Sequence, residues 1–236
     1  MCLLGSLERS MPLKTFLNLR KERQKQIIDA CLEEFVVHGF KGASLTRIIQ
    51  KLGLAKGSFY RYFESKMSLY AYLIEYGKRS AWELFLKEFE NPVDDILKAW
   101  VRFYLACVRR DNEYPLLGYF GYRLSQDKND PILGDVPYQT LKKGLEVLHG
   151  YFLKQQRSGE IRGDINVEKL IYSLLQVQSG ILDYLRLKYE IDFEENVKAG
   201  KPLFPISEKT LKKELEDFAV VLRSGFEGNR KQKSGG

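Results

Sequence analysis

Two short helical segments joined through a glycine, within residues 39–66, constrain the fold of this chain more than any other feature. Ser44 is a favourable helix N-cap, and the apolar residues behind it are spaced to bury one face of a helix over residues 45–51. Gly53 can adopt the left-handed backbone conformation that a tight turn requires. A second short helix is predicted over residues 56–63, so the segment has the order helix, turn, helix.

The second of these helices has an apolar inner face and a polar outer face. Phe59 and Phe63 lie four residues apart and therefore point to the same side, into the domain. The leading end and outer face then hold Lys56, Gly57, Tyr60, Arg61 and Tyr62. A helix with such an outer face after a glycine turn is what a helix-turn-helix motif presents to the major groove of DNA.

The run HGFKGASLTRIIQKLGLAKGSFYRYFESKMSLYAYLIE, taken as a whole, resembles the DNA-binding domain of the TetR family of transcriptional regulators. Its part KGSFYRYFESK follows the family pattern of small and polar residues, a tyrosine, a pair of ring residues and a lysine. The resemblance covers residues 20–75. Ala55 stands where the family often has a Ser or Thr cap, Ile49 where a small residue is usual, and Tyr62 where histidine is common. The last departure leaves the role of position 62 open.

The resemblance implies DNA contacts at Ser44, Thr46, Lys56, Gly57, Tyr60, Tyr62 and Lys66, and we add Arg61 because its planar guanidinium suits guanine. Lys66 begins the next helix, so its ammonium is expected to contact phosphate. Ser44 and Thr46, at the amino end of the first short helix, are also expected at phosphate oxygens. Whether Tyr60 or Arg61 points at bases depends on helix rotation, which the sequence leaves open.

Positive charge is concentrated at the same end of the chain. Residues 1–66 carry 12 Lys and Arg against 6 Asp and Glu, a net charge of +6, whereas residues 67–236 carry 26 against 25, a net charge of +1. This asymmetry is expected where one end of a protein meets the phosphate backbone of a nucleic acid. Without the motif, a solvated charged face would explain the excess equally well.

Residue usage argues against an enzyme, a metal site and a membrane protein. The three cysteines are odd in number and far apart, so neither a disulfide framework nor a metal site is predicted, as fits the cytoplasm. The chain has two histidines and no nucleotide-binding or nucleophile motif. Adjacent carboxylates, as at residues 94–95, diverge on a helix. No apolar run reaches the ~18 residues that span a bilayer. We expect a cytoplasmic protein without a cofactor.

Apolar stripes at helical spacing run to residue 226, and no alternating strand pattern occurs, so the fold is predicted to be all-α with about nine helices. The predicted domains are a flexible N-terminal leader (1–19), a three-helix helix-turn-helix domain (20–66), a larger helical ligand-binding and dimerisation domain (67–226) and a disordered tail (227–236). A basic arm in the minor groove is the alternative for the leader. The predicted helices outside the motif cover residues 21–38, 66–89, 91–110, 116–123, 137–158, 167–189 and 208–226, with a loop at 190–206.

The helix predicted over residues 91–110 is apolar around most of its circumference, which places it at the centre of the larger domain. Aromatic residues on and around it could line an apolar pocket, with hydroxyl groups to orient a ligand. Each of them alone would fit an ordinary core equally well. These candidates are Trp100, Phe103, Tyr104, Tyr119, Phe120, Tyr122, Tyr151 and Tyr172.

The helix predicted over residues 167–189 has two apolar faces, more than one neighbouring helix can cover, which favours a second subunit. Burial of both faces inside one subunit is the alternative. The resemblance implies a homodimer that pairs through the last two helices, bound to a palindromic operator in double-stranded DNA. We therefore hypothesise a dimeric repressor released by a small apolar or aromatic ligand. A DNA-bound protein that answers to a protein partner, with no small-molecule effector, is the alternative.

Overall fold

The computed structural model describes residues 12–89, 95–127 and 131–226. Within these segments the chain forms eleven α-helices and no β-strand, which confirms the predicted all-α class. They are α1 (Lys14–Leu17), α2 (Lys21–Gly42), α3 (Leu45–Lys51), α4 (Lys56–Tyr60), α5 (Lys66–Phe89), α6 (Ile96–Glu113), α7 (Pro115–Gln126), α8 (Val136–Arg157), α9 (Val167–Lys188), α10 (Phe193–Lys198) and α11 (Glu208–Phe226). We call α1–α4 the reader and α5–α11 the body. The predicted helix start at Asn91-Pro92 and the tail 227–236 lie outside the described residues.

The helix-turn-helix forms where the sequence predicts it. The hydroxyl of Ser44 caps α3 by accepting a hydrogen bond from the backbone N–H of Arg47, at 3.4 Å. Gly53 has a φ of +62°, so the turn after α3 uses the left-handed conformation that glycine adopts without strain. Gly39 likewise has a φ of +63° and breaks α2 where its end was predicted, after which one further turn continues to Gly42.

α4 begins at Lys56 as predicted but ends at Tyr60, three residues early. The backbone N–H groups of Arg61 and Tyr62 bond to carbonyls three residues back, which tightens the last turn and closes the helix. Phe59 and Phe63 are nevertheless both buried, with ring centroids 5.8 Å apart. The predicted inner face is therefore confirmed although the predicted length was wrong.

The prediction of a flexible leader was wrong for residues 12–19. α1 forms there, and Phe16 is fully buried, with its ring 5.0 Å from that of Phe63 and 5.6 Å from that of Tyr72. The side-chain amide of Gln24 donates to the carbonyls of Leu17 and Leu19 at 3.0 and 2.9 Å. The burial of the Phe16 ring holds α1 in place. The helix itself is too short for its apolar spacing to be recognised in the sequence. Residues 1–11 lie outside the described segments.

One buried aromatic group packs the reader directly against the body. Phe35 and Phe40 of α2 meet Tyr70 of α5 at ring distances of 5.0 and 4.9 Å, and Tyr70 in turn meets Phe120 of α7 at 5.3 Å. All four rings are buried. Edge-to-face contacts at these distances add to the apolar burial, so α2, α5 and α7 share one core.

α6 lies at the centre of the body, as predicted, with α5, α7 and α11 packed around it. Its start is set by Asp95, whose carboxylate accepts from the backbone N–H groups of Leu97 and Lys98 at 2.9 and 3.2 Å. α5 runs unbroken through Gly77 and joins the reader to this centre. α8 packs chiefly against α9.

The loop predicted over residues 190–206 contains α10 and a buried return segment. Phe193 and Phe204 are buried against each other at a ring distance of 5.0 Å. Asn112 of α6 accepts from the N–H of Phe204 at 2.7 Å and donates to its carbonyl at 3.2 Å. The sequence prediction of a plain loop missed this helix because its six residues carry no repeating stripe.

Candidate functional site

The outer side of the helix-turn-helix carries most of the predicted DNA-contact residues. Thr46 of α3, Gly57 and Tyr60 of α4, and Arg61 after it are all exposed, while Ser44 is half-buried at the start of α3. The backbone of Lys56 begins α4, but its side chain lies outside the described part of the structure. The exposed set combines a hydroxyl, a phenol and a guanidinium, which are groups that contact phosphates and base edges.

Gly57, like several other helical glycines such as Gly150, occupies a position where no contact among the described residues requires a glycine. Its φ is not positive, and a Cβ atom built on it would meet no atom of the described residues within 4 Å. Glycine in a helix also lowers stability relative to alanine. A glycine at an exposed helix start is useful where another molecule approaches the backbone closely, as a DNA strand does.

α3 is fixed to α2 through the carboxylate of Glu34. Its Oε1 accepts from the N–H of Ser44 at 2.7 Å and from Nε and Nη2 of Arg47 at 2.9 and 2.5 Å. Burial acts to raise the pKa of Glu34, but the hydrogen bonds from Arg47 and Ser44 outweigh it and hold the pKa below its ordinary value. The guanidinium of Arg47 is therefore hydrogen-bonded within the reader, where it orients the start of α3.

Lys66, predicted to contact phosphate, is placed at the junction between α2 and α3. Its Nζ donates to the carbonyl of Ala43 at 3.0 Å and reaches that of Lys41 at 3.4 Å, and it lies 4.9 Å from the centre of the Phe40 ring. An ammonium group has three N–H donors, so these contacts leave one. The side chain thus holds the path into α3 and keeps one donor for an outside acceptor.

Tyr62 takes a partly structural position. Its ring is half-buried and meets the edge of Phe16 at 6.1 Å, and its carbonyl accepts from the N–H of Leu13 at 2.9 Å. The hydroxyl of Thr15 donates to the carbonyl of Arg61. α1 therefore supports the end of α4 from behind. The apolar cluster Phe16, Leu17 and Leu19 is the one sequence signal that could have revealed this support.

The predicted ligand-lining residues separate into groups instead of forming one pocket wall. Tyr119 and Tyr122 stack at 6.2 Å and contact Phe193 of α10, where the Arg186 guanidinium lies 4.7 Å from the Tyr122 ring. Phe120 belongs to the aromatic core shared with the reader. These three residues support packing between elements, so the prediction that they line the same pocket as Trp100 finds no support in the structure.

Tyr172 does not line an interior pocket either, since its side chain is 46% exposed. It follows Leu170 and precedes Leu174, which are both buried. Two residues along a helix turn a side chain by about 200°, so a residue midway between two buried positions faces outward. The structure therefore gives no support to Tyr172 as a lining residue of an interior pocket.

A second aromatic group lies in the body between α5, α6 and α8. Phe85 and Phe89 of α5 stack at 4.4 Å, and both meet Phe103 of α6 edge-on at 5.9 and 6.1 Å. On the α8 side both meet Tyr151, at 5.7 and 5.4 Å. We call Phe85, Phe89, Phe103 and Tyr151 the body cluster. It contains two of the predicted ligand-lining residues.

Three of the predicted ligand-lining residues each have a buried polar atom with no hydrogen-bond partner among the described residues. These atoms are Nε1 of Trp100 and the hydroxyl oxygens of Tyr104 and Tyr151. Burial raises the pKa of Tyr104 well above its ordinary value and that of Tyr151 to about 12, so both phenols stay protonated. A buried polar group without a partner costs about 1–3 kcal/mol. Such atoms call for a physical explanation.

One predicted apolar face of α9 is mostly covered within the chain itself, since Leu170, Leu174 and Ile181 are buried. On the other face Ile171 is buried, whereas Leu175 and Leu182 are half-buried. Apolar side chains nevertheless point outward from the two last long helices: Leu187 of α9 is 82% exposed and Val221 of α11 is 75% exposed. The two helices are joined by Lys188 and Glu214, with Nζ to Oε1 at 2.6 Å.

The described residues contain no group of three or more His, Cys, Asp or Glu side chains placed to hold a metal ion. None of the described helices is both long and apolar enough to cross a membrane. An outer groove of about 420 Å³ runs between α6 and α11, with an apolar floor and a charged rim.

Comparison with known proteins bears on the reader most directly. Residues 27–73 match the family model described as bacterial regulatory proteins, tetR family. The chain is 27% identical over 171 residues to the HTH-type transcriptional regulator YdgC of Bacillus subtilis, a match that covers 70% of this chain and 79% of YdgC. It is 41% identical over 49 residues to the HTH-type transcriptional regulator TtgW of Pseudomonas putida, which covers 21% of this chain and 37% of TtgW.

Solved structures share the fold of most of the chain. A TetR family transcriptional regulator from Chloroflexus aurantiacus has a TM-score of 0.66 at 23% identity, with 93% of this chain and 100% of that chain covered. The fatty acid degradation regulator FadR from Bacillus halodurans has a TM-score of 0.60 at 17% identity, with 81% and 96% covered. The likeness thus extends through the reader and the body alike.

Proposed function

This chain belongs to the TetR family of DNA-binding transcriptional regulators, and from this premise we propose that it is a homodimeric repressor that a small ligand releases from a palindromic operator. The observation that carries the proposal is the exposed leading end of α4. There Gly57, which no contact among the described residues requires to be glycine, lies near exposed Tyr60 and Arg61. Two short helices joined by a turn are the arrangement that a helix-turn-helix presents to a major groove.

Roles can be assigned within the interface from the contacts of each side chain. Tyr60 and Arg61 are exposed at the end of α4 and are the proposed base readers. Ser44 and Thr46, at the start of α3, are proposed to contact phosphate. Lys66 is proposed to serve phosphate with its remaining donor, while its other N–H groups hold the carbonyls of the α2–α3 junction.

Support for a dimer comes from outward apolar side chains on α9 and α11. Leu187, Val220 and Val221 are each more than two-thirds exposed. Isolated exposed apolar residues are ordinary, but three on the two last long helices fit a surface that a second copy covers. A two-fold dimer would present two recognition helices to two half-sites.

Support for a ligand comes from the body cluster and from three buried polar atoms that have no partner among the described residues. Phe103 and Tyr151 give apolar walls, while Trp100, Tyr104 and Tyr151 supply polar groups without partners among the described residues. A mostly apolar region with a few unsatisfied polar groups is typical of small-molecule sites. α5 connects this region to the reader, so a ligand that moves α5 would move the recognition helices.

Selection of bound sequences from random DNA, followed by footprinting, tests the DNA half of the proposal. We expect a palindrome whose half-site centres lie about 34–36 Å apart, or a multiple of that distance. Binding of a monomer to one asymmetric half-site would contradict it. A thermal-shift screen tests the ligand half, because a ligand at 100 times its dissociation constant adds roughly 2.7 kcal/mol to stability. If no compound in a broad library raises the melting temperature, control by a protein partner is favoured.

A further inference from the structure

The carboxyl end of α4 is held by a segment from the start of the chain. α4 has five residues, too few to be stable alone, and carbonyl groups at the end of a helix find no partner in the helix itself. Here the carbonyl of Arg61 accepts from the hydroxyl of Thr15, and that of Tyr62 accepts from the N–H of Leu13 at 2.9 Å. α1 and the residue before it therefore cap α4 from 46 residues away in sequence.

α1 is itself fixed to two other helices. The Phe16 ring is fully buried and lies 5.6 Å from the ring of Tyr72 in α5. Gln24 of α2 is 8% exposed, and its side-chain amide donates to the carbonyls of Leu17 and Leu19 just after Phe16. The position of α1 is therefore set by α2 and α5, so α1 can hold the end of α4 in a defined place.

The residue whose carbonyl Thr15 holds is one of the two proposed base readers. The Arg61 side chain is exposed, and its guanidinium forms no ion pair among the described residues. Its direction therefore depends on how the backbone at Arg61 is held. A planar guanidinium reads guanine through two N–H donors at once. Such a contact requires placement to within about 0.5 Å and about 20°.

We propose that Thr15 is a positioning residue for sequence reading: by holding the Arg61 carbonyl, its hydroxyl directs the Arg61 guanidinium to the base edges of the operator. This inference rests on the proposed operator binding. It adds α1, which lies outside the helix-turn-helix itself, to the elements that set DNA specificity. The proposed phosphate contacts of Lys66 and of the start of α3 do not involve this bond, so affinity for DNA of any sequence does not depend on it.

Thr15→Val removes the hydroxyl and keeps the shape of the side chain. The ratio of operator affinity to scrambled-duplex affinity should fall about two- to tenfold, the effect of one hydrogen bond, with the salt slope unchanged because no phosphate contact is lost. Thr15→Ser keeps a hydroxyl and should retain the parental ratio. Thr210→Val is the matched control, because the Thr210 hydroxyl shares a hydrogen bond with Ser207 in the body.

Two results of this comparison would overturn the proposal. An unchanged ratio in Thr15→Val would show that the bond does not affect sequence reading. An equal loss of affinity for both duplexes would show that Thr15 only stabilises the fold. Circular dichroism at the temperature of the titrations establishes that each variant is folded when its DNA affinity is measured.

A double-mutant cycle tests whether Thr15 acts through Arg61. Arg61→Ala should lower the affinity ratio, and Thr15→Val added to it should lower the ratio no further, because residues that act as one unit are not additive. If the two losses add, Thr15 acts independently of Arg61 and the proposal is wrong.

The same titrations separate failure of this proposal from failure of the proposed function. A parent chain that does not prefer its selected operator to the scrambled duplex would contradict the proposed function itself. If the parent prefers the operator and Arg61→Ala keeps that preference, operator binding stands and the positioning role of Thr15 is wrong. Loss of preference in both single variants, without further loss in the double variant, supports the proposal.

Discussion

The hydroxyl of Tyr114, at the junction of α6 and α7, donates a hydrogen bond to the carboxylate of Asp29 in α2. The same carboxylate accepts from Lys25 at 2.7 Å, and the Lys25 ammonium lies 4.5 Å from the centre of the Tyr114 ring. Burial, and then the bond to Asp29, raise the pKa of Tyr114. Three side chains thus close a ring of contacts that ties the body to the reader.

Tyr114→Phe should lower the free energy of unfolding by about 1.5–3 kcal/mol, because it removes a hydrogen bond to a charged group. Urea unfolding measures the change. Tyr138→Phe is the control, since Tyr138 is mostly exposed and its hydroxyl can bond to water. Equal stability of the two variants would show that the Tyr114–Asp29 bond does not hold the reader to the body.

Gly57→Ala should raise stability and weaken DNA binding at once. Alanine improves a helix by about 0.5–1 kcal/mol relative to glycine, and the added methyl meets no described protein atom within 4 Å. Against DNA the methyl should cost about 1–3 kcal/mol through overpacking. Gly150→Ala in α8 is the matched control, because its Cβ also meets nothing within 4 Å. If Gly57→Ala bound the operator as tightly as the parent, DNA would not approach the backbone closely at Gly57.

Lys66→Ala and Tyr60→Ala should lose DNA affinity in different ways. Lys66→Ala should weaken the operator and a scrambled duplex about equally and lower the salt slope by about 1, since it removes one phosphate contact. Tyr60→Ala should cost about 1–3 kcal/mol mainly on the operator. Titrations of both duplexes across salt concentrations measure these changes.

The salt slope also separates two roles of Lys66. An unchanged slope at lower affinity would mean that the ammonium acts only on the carbonyls of Lys41 and Ala43, by holding the path into α3. If Lys66→Ala lost affinity only for the operator while Tyr60→Ala lost affinity for both duplexes, the two roles would be reversed. Lys66 would then contact bases and Tyr60 would contact phosphate.

Glu34→Gln should make the reader less stable at neutral pH and less sensitive to acid. The pKa of Glu34 is lowered in the folded chain, so its stabilising contribution is complete above the unfolded pKa of about 4.3. It is lost as the pH falls through the lower folded pKa. The stability difference between parent and variant should therefore be constant at neutral pH and shrink below about pH 4. A difference that grows in acid would contradict the lowered pKa.

Local signals in the sequence sufficed for the helix-turn-helix. Ser44 caps α3, Gly53 takes a positive φ, and Phe59 and Phe63 turn inward because these outcomes depend on backbone preferences and on a spacing of 3.6 residues. Each is decided within one or two turns of chain. The match of residues 27–73 to the tetR family model agrees with the resemblance found on the same residues.

Short helices without a stripe of their own depended on distant contacts. α1 and α10 have four and six residues, too few to be stable alone. Phe16 is held by Phe63 and Tyr72, and Phe193 by Tyr122 and Phe204. Such partners are brought together only when the whole chain folds, so no local sequence pattern predicts these two helices.

The sequence by itself therefore determined the helical class, the position of the reader and the residue types on its outer face. Tertiary structure alone decided which of those groups are free to act. Lys66 is engaged by carbonyls more than twenty residues away, and Arg47 by Glu34 on another helix. The aromatic candidates of the body likewise separated according to their neighbours. The physical reason is that hydrogen bonds and ring contacts are short-ranged, so a side chain's role depends on atoms that only the folded chain places within a few ångströms.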